Sequence, residues 1–220
     1  AKKFIVYFQS FTNTYAPLST LKSLYEKALS FDDVIGLSIG TRTDCVTDEI
    51  LDFLYEKSKQ KDIWIEYGIQ SFFQATLDKI NRADDVENMR YWIRRTKEKG
   101  LNVCGHLIYG LPDENQEMML ETFKQTIDLK VDSIKFHPLY VVKNTLLTNE
   151  FKKGRFNPIS EELYIDTVVQ SIINLPQNVS VQRVTAGIDD DTLLSPLWCK
   201  NKHQQMKKIR IALEEEGFIY

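Results

Sequence analysis

Ionisable side chains recur inside the apolar, strand-length runs of this chain. Ile63–Gln70 carries Glu66 and Leu101–Gly110 carries His106. Later runs add Lys135, His137 and Arg183. Strand residues alternate between two faces, so these side chains are predicted to share the interior face of one sheet. A buried carboxylate needs a partner. The pattern therefore predicts a cavity in which mutual pairing or a bound ligand satisfies these groups.

The elements that must position these residues follow one rhythm. Strands are predicted at Phe4–Gln9, Val34–Gly40, Ile63–Gln70, Leu101–Gly110, Ser133–Tyr140 and Val179–Ala186. Their spacing of roughly thirty to forty-five residues is that of βα units. Nearly continuous apolar strands are typical of parallel sheets covered on both faces. We therefore expect an α/β fold, a mostly parallel, partial (β/α)6 TIM-like barrel.

Helical periodicity fills the segments between the strands. Helices are predicted at Leu18–Leu29, Ile50–Tyr55, Val86–Lys99, Gln116–Leu129, Glu161–Ile173 and Lys202–Glu216. Thr47 and Ser160 precede acidic residues and are predicted N-caps, and Gly100 is a predicted helix stop. We expect a barrel core over residues 1–188 and a C-terminal extension over 189–220 that packs on it.

Composition limits the class of protein. The 220 residues include 31 acidic and 28 basic side chains, which gives no electrostatic signature of nucleic-acid binding. No apolar stretch reaches the roughly 18 residues of a membrane span, and no signal-peptide pattern is present. Cys45, Cys104 and Cys199 are odd in number and far apart, so a disulfide framework is not expected. These features predict a cytoplasmic protein without a membrane partner.

Longer segments of the sequence resemble the radical S-adenosylmethionine (radical SAM) superfamily. The narrower resemblance is to YhcC-type proteins, which are related to the elongator-type tRNA-modifying branch. Its carriers are FIVYFQSFTNTYAP, GLSIGTRTDCV, WIEYGIQSFFQATLDKINR, GHLIYGLPDE, IKFHPLYVVKNT, QRVTAG and PLWCKNKH. The resemblance implies an enzyme that uses S-adenosylmethionine and a 4Fe-4S cluster to generate a 5'-deoxyadenosyl radical, which abstracts hydrogen from a substrate.

The family's cluster loop, CxxxCxxC, is absent from these 220 residues. The resemblance then implies a chain that begins after that loop, lacks the family's first strand, binds no metal and is inactive alone. The 4Fe-4S cluster would belong to the full-length protein only. An unpaired edge at Phe4–Gln9 would favour self-association. The implied partners are an electron donor such as flavodoxin or ferredoxin and an unknown substrate, with tRNA and protein both open.

The resemblance also assigns residues to S-adenosylmethionine. The implied cofactor-binding residues are Gln9, Ser10, Arg42, Glu66, Gln70, His106, Ile108, Gly110 and Leu111. QSFT stands where relatives carry a glycine-glycine-glutamate turn, and His106 stands where they often carry aspartate. Lys135, His137 and Arg183 are substrate candidates.

Each assignment has a structural alternative. Glu66 would pair with Lys135 or Arg183, and Arg42 would cap a helix or bind a loop carbonyl. The histidines and Cys104 would be core residues. The aromatic residues near the N-terminus are expected to pack rather than to stack on ligands, namely Phe4, Tyr7, Phe8 and Phe11.

Two other functions remain open. A lysine projecting into a barrel suits a Schiff-base lyase or aldolase, because desolvation favours the nucleophilic amine, and Lys135 would be that residue. A non-catalytic RNA- or protein-binding module is the other alternative. Its binding segment would be PLWCKNKHQQMKK, although such a basic run is also typical of a solvated helix face.

Overall fold

The computed structural model describes residues 2–218, and a six-stranded parallel sheet is its central element. The strands that form this sheet, in spatial order, are β1 Phe4–Phe8, β2 Val34–Thr41, β3 Asp62–Gln70, β4 Asn102–Tyr109, β5 Ser133–Pro138 and β7 Ser180–Arg183. A separate antiparallel pair joins β6 Val141–Val142 to β8 Leu193–Ser195. The predicted α/β class with sequential parallel strands is confirmed.

Helices occupy the connections between the strands. Their bounds are α1 Leu18–Leu29, α2 Asp48–Ser58, α3 Gln74–Lys79, α4 Val86–Glu98, α5 Gln116–Asp128, α6 Leu146–Lys152, α7 Glu161–Ile173 and α8 Lys202–Glu215. Short 3-10 turns lie at Thr43–Cys45 and Leu197–Lys200. No helix among the described residues has the length and apolarity needed to cross a membrane.

Local signals in the sequence place the helix ends correctly. The Thr47 hydroxyl accepts a hydrogen bond from the Ile50 amide, and the Ser160 hydroxyl accepts one from the Leu163 amide. Gly100 follows α4 with a φ of +82°, a conformation that favours glycine. Both N-caps and the helix stop are therefore confirmed.

The elements after β5 differ from the sequence-based prediction more than the earlier elements do. The strand predicted at Val179–Ala186 is only four residues long. It ends early because the Tyr164 hydroxyl donates to the Val184 carbonyl oxygen, and the Thr185 hydroxyl donates to the Gln205 side chain. The β6–β8 pair, α3 and α6 had no counterpart in the sequence analysis.

Two compact units divide the chain. The first comprises residues 1–69, 84–106 and 128–133, and the second comprises 70–83, 107–127 and 134–220. The predicted division of the chain at residues 188 and 189 stays a prediction, and residues 1, 219 and 220 of those ranges lie outside the described part.

Alternation along the strands gives the sheet two different faces. On β3, Ile63, Ile65, Tyr67 and Ile69 are almost completely buried. Trp64, Gly68 and Gln70, which have the parity of Glu66, are only half-buried. The predicted interior-face parity of Glu66 therefore agrees with the burial pattern, and the apolar face packs on helices, as the hydrogen bond between Tyr67 on β3 and Thr96 on α4 illustrates.

β1 is an edge strand that pairs only with β2 among the described strands. Phe4, Ile5 and Tyr7 on this strand keep large exposed fractions. An edge with exposed apolar side chains is a template for pairing with another chain. The edge predicted along Phe4–Gln9 is thus present, whereas self-association through it stays a prediction.

A charge on this edge should weaken self-association. Ile5 on β1 is 43% exposed, and Ile35 on the internal strand β2 is 42% exposed. We expect Ile5→Lys to lower the proportion of dimers in sedimentation velocity, because the lysine repels a pairing strand. Ile35→Lys is the matched control and should leave the proportion unchanged. Equal effects of both variants would contradict association through the β1 edge.

Candidate functional site

The first unit contains a buried carboxylate that is held by side chains from three other strands. Glu66 on β3 is 2% exposed. The Tyr7 hydroxyl on β1 donates to its Oε2 atom at 2.9 Å, and Nε2 of His106 on β4 lies 2.6 Å from the same oxygen. The Ser38 hydroxyl on β2 donates to Oε1. Four consecutive strands therefore contribute one side chain each to this cluster, which we call the Glu66 cluster.

Strand register brings these residues together. Tyr7 lies opposite Ser38 in the β1–β2 ladder, and Gly40 lies opposite Glu66 in the β2–β3 ladder. The neighbouring residue Phe8 points to the other face, where its ring meets the Tyr25 ring edge-on. The expectation that Tyr7 packs rather than stacks on a ligand stays a prediction, and its hydroxyl in addition binds Glu66.

The Glu66 cluster joins a carboxyl group to an imidazole ring. Nε2 of His106 is the donor wherever Glu66 is ionised, because an ionised carboxylate offers only acceptors. The His106 side chain is 23% exposed, which is far more than Glu66. Glu66 is thus suited to orient His106, and His106 is exposed enough to reach a ligand.

Three side chains bind the Glu66 carboxyl group, namely Tyr7, Ser38 and His106. The partners expected from the sequence were Lys135 or Arg183, and none of these three had been named as a partner. Strand parity places Ser38 and Tyr7 on the face of Glu66, but the direct ladder partner of Glu66 is Gly40, so parity alone does not select these two hydroxyls.

The carboxyl ends of β1 and β2 carry a hydrogen-bonded rim in the same unit. Gln9 and Ser10 are exposed just after β1. The Thr14 hydroxyl donates to the Cys45 carbonyl oxygen at 2.6 Å and shares a 2.5 Å hydrogen bond with Thr41. The loop after β1 is therefore fixed to the loop after β2.

Arg42 is part of this rim and forms a two-pronged ion pair. Its Nε atom donates to Asp44 Oδ1 at 2.7 Å, and a terminal nitrogen donates to Oδ2 at 2.5 Å. Arg42 precedes the 3-10 turn and forms no side-chain cap there. The alternatives in which it caps a helix or binds a loop carbonyl stay predictions. The pairing with Asp44 raises the pKa of Arg42, so the guanidinium stays charged.

The second unit holds the other cofactor candidates. Gln70 ends β3 with a φ of +68° and is half-buried, and Ile108 on β4 is also half-buried. Leu111 is buried. Gly110 has a φ of +88°, and a Cβ atom there would lie 2.7 Å from Cγ2 of Ile159. This tight turn requires glycine for two independent reasons, its backbone conformation and its lack of space.

Glu114 is a functional candidate that the sequence analysis did not select. It follows Gly110 in GHLIYGLPDE and accepts a hydrogen bond from the Ser71 hydroxyl after β3. Burial raises the pKa of Glu114, while hydrogen bonds from Ser71 and Thr76 oppose the rise. A partly buried carboxyl with a perturbed pKa after a strand is typical of functional sites, and this position in the strand–turn–helix pattern was its sequence signal.

The substrate candidates also lie in the second unit. Lys135 is buried on β5, on the face opposite Phe136, whose ring packs on Tyr109. His137 donates from Nδ1 to the Pro138 carbonyl oxygen at 2.7 Å, and its ring centre lies 4.9 Å from that of Tyr140. Arg183 is half-buried at the end of β7. Tyr140 is a neighbour of His137 that the sequence analysis missed, and burial raises its pKa.

The described residues do not fit an iron–sulfur cluster. None of the three cysteines forms a disulfide among the described residues, and Cys104 and Cys199 are buried. Burial raises the pKa of the Cys199 thiol to about 12, so it is not a ready thiolate ligand. Within residues 2–218, no three His, Cys, Asp or Glu side chains are arranged to hold a metal ion. Such clusters need closely placed thiolates.

Comparison with known proteins shows to which family this chain belongs. The model of the Radical SAM superfamily matches residues 2–126, and that of the Radical_SAM C-terminal domain matches residues 131–215. Protein YhcC of Escherichia coli K12 is 38% identical over 218 residues, which cover 99% of this chain and 71% of that protein. A tRNA uridine(34) acetyltransferase of Methanocaldococcus infernus is 26% identical over 198 residues, covering 84% of this chain and 36% of that protein.

A solved structure shares the fold. The Methanocaldococcus infernus Elp3 structure superposes with a TM-score of 0.84 at 20% sequence identity, covering 99% of this chain and 55% of that chain. The present chain therefore spans about half the length of that structure. This likeness confirms the predicted fold class.

Gly110→Ala should destabilise the second unit. We expect a loss of about 1–3 kcal/mol in the free energy of unfolding, because the new Cβ collides with Ile159 and the positive φ is strained. Gly154→Ala is the matched control, since Gly154 has a φ of +68° but no atom within 4 Å of the added Cβ. Equal losses in urea denaturation would show that the contact with Ile159 has no part in the effect.

The buried carboxyl of Glu114 should make stability depend on pH. Its raised pKa means that the folded state binds this proton more tightly than the unfolded state, so the free energy of unfolding falls as pH rises through that range. Glu114→Gln removes this contribution. Its free energy of unfolding, minus that of the wild type, should therefore increase from about pH 4 to about pH 8 in urea titrations.

The matched control for this experiment is Glu117→Gln, which removes an exposed carboxyl from α5. A pH dependence of the same size in both variants would contradict the assignment to Glu114.

Proposed function

Because the chain belongs to the radical SAM superfamily, we propose that it binds S-adenosylmethionine at the carboxyl ends of its strands and directs hydrogen abstraction from a substrate. The single observation that carries this proposal is the Glu66 cluster, a buried charge arrangement at positions where the family resemblance assigns the cofactor. A purely structural ion pair on a helix surface needs only two side chains. The Glu66 cluster, in contrast, takes one side chain from each of four strands.

Each member of the Glu66 cluster has a separate task in this proposal. Glu66 is a positioning residue that fixes the ring and the Nε2 proton of His106. Tyr7 and Ser38 hold the carboxylate and exclude water from it. His106, whose side chain is more exposed than that of Glu66, contacts the ribose or methionyl part of the cofactor.

The remaining cofactor candidates are divided between the two units. Gln9, Ser10 and Arg42 belong to the rim of the first unit, and Arg42 is held in place by Asp44. In the second unit the family resemblance assigns the tight turn at Gly110, which packs against Ile159, to the adenine. The other members of the second unit are Gln70, Ile108 and Leu111.

The chemistry of the bound cofactor is the family's. S-adenosylmethionine supplies a carbon-centred radical when it accepts one electron, and the protein supplies orientation and exclusion of water. Because the described residues do not fit an iron–sulfur cluster, no step is assigned to one. A cytoplasmic location belongs to the same proposal and is supported by three cysteines that form no disulfide among the described residues.

We propose RNA as the substrate class. Support comes from the relative whose name states that it acts on tRNA uridine(34), at 26% identity. Lys135, His137 and Arg183 provide cationic or polar groups that suit a phosphate-bearing ligand. A protein substrate is the alternative, and the net charge of −3 favours neither.

Cofactor binding should depend on the Glu66 cluster. We expect the wild-type chain to bind S-adenosylmethionine weakly in isothermal titration calorimetry. Glu66→Gln and His106→Ala should each weaken that affinity about tenfold, which corresponds to 1.4 kcal/mol. Glu66→Gln should leave the His106 ring without its fixed orientation, and His106→Ala should remove the contact between His106 and the cofactor.

Asp62→Asn is the matched control, because it removes an exposed carboxyl from the amino end of the same strand. A purely structural Glu66 would give a different result, namely a marked fall in melting temperature with unchanged affinity for the cofactor. That outcome would remove the cluster from the cofactor site.

A further inference from the structure

Phe11 combines an unfavourable backbone with a fully exposed side chain. Its φ of +61° lies in the left-handed region, and the ring is 99% exposed. Among the described non-glycine residues with positive φ, Phe11 is the only aromatic one. Bulky side chains rarely adopt this conformation. Neither burial nor backbone preference explains a phenylalanine here, and the expectation that it packs is wrong.

The loop that carries Phe11 is held at both ends, so the ring cannot easily fold back. The Asn13 side chain donates to the carbonyl oxygens of Phe8 at 3.0 Å and Gly40 at 2.9 Å. The Asn13 amide also donates to Gly40, and the Tyr25 hydroxyl donates to the Asn13 carbonyl oxygen at 2.5 Å. These bonds fix the chain directly before and after the tip, and the ring is presented to solvent in one place.

The residues next to Phe11 in the sequence have polar, uncharged side chains. Gln9 and Ser10 precede Phe11 and are exposed, and Tyr15 four residues later is 81% exposed. Backbone strain and exposed aromatic rings concentrate at sites that bind ligands. Two isolated rings with amide and hydroxyl groups beside them suit planar ligands with hydrogen-bonding edges better than they suit a continuous apolar protein face.

We propose that Phe11 stacks on an unpaired base of the RNA substrate and positions that nucleotide at the carboxyl ends of the strands. The inference rests on the proposed function, since it takes RNA as the substrate class. Phe11 lies three residues after the end of β1, the strand that carries Tyr7 of the Glu66 cluster, in the loop that Asn13 ties to the end of β2. Single-stranded RNA is commonly recognised by aromatic stacking of this kind.

The test measures stacking directly. A short single-stranded oligoribonucleotide that contains 2-aminopurine is titrated with the protein in the absence of S-adenosylmethionine, and its fluorescence is followed. Stacking on Phe11 quenches the probe. Phe11→Asn should abolish the quenching and weaken binding about tenfold, which lies within the range of one stacked base. Phe11→Tyr, which keeps a ring, should retain both.

Stability provides the second readout. Asparagine tolerates the left-handed conformation, so Phe11→Asn should leave the melting temperature unchanged or raise it. Phe31→Asn is the matched control, because Phe31 is an exposed phenylalanine between α1 and β2, at the other end of the strands. It should not change RNA binding.

Three results would overturn the inference. They are equal quenching by wild type and Phe11→Asn, no quenching by the wild-type protein, and cross-links from p-benzoylphenylalanine at position 11 to protein but not to RNA in cells. Because the assay contains no cofactor, such a failure leaves the proposal for S-adenosylmethionine untouched, and an unchanged cofactor affinity in the Glu66 variants leaves the RNA result untouched.

Discussion

The buried charge of Glu66 is the constraint on which the rest of the candidate site depends. A carboxylate that is 2% exposed loses its hydration, and hydrogen bonds from the protein must replace it. The donors come from β1, β2 and β4, so the cluster exists only when four strands are paired in the correct register. A shift of one residue on β1 would turn Tyr7 away from the carboxylate. The charge therefore couples strand register to the orientation of His106.

Backbone conformations that are unusual for their residue types lie at the carboxyl ends of the strands. Phe11 after β1 and Gln70 at the end of β3 have positive φ without being glycine. At the end of β4 the residue with positive φ is Gly110, whose lack of a Cβ atom also leaves room for Ile159. Local strain of this kind persists where surrounding contacts hold it, and the hydrogen bonds of Asn13 do so for the first loop. In the first unit, the loop after β1 is thus held in a fixed position on a regular sheet.

Family membership and fold carry different amounts of information about chemistry. The chain shares a fold with the Elp3 structure at 20% identity, and folds host many reactions. Function is therefore argued from the Glu66 cluster rather than from the sheet. The Schiff-base alternative for Lys135 stays a prediction, and the burial of this lysine on β5 is as the sequence indicated. The binding-module alternative still has the basic segment of α8, in which Lys208 pairs with Glu161.

The sequence by itself determined the elements whose causes are local. The two-residue alternation placed Glu66 and His106 on one face, and Thr47, Ser160 and Gly100 marked helix ends through short-range hydrogen bonds and backbone preference. It did not determine α3, whose six residues are too short for a periodic signal, or the length of β7. Only the tertiary structure decided that Tyr7 and Ser38 hold the carboxylate, that Asn13 fixes the loop and that Phe11 is exposed. These outcomes depend on contacts between residues far apart in the chain, and no local pattern of residue types specifies which of several possible donors will reach a given acceptor.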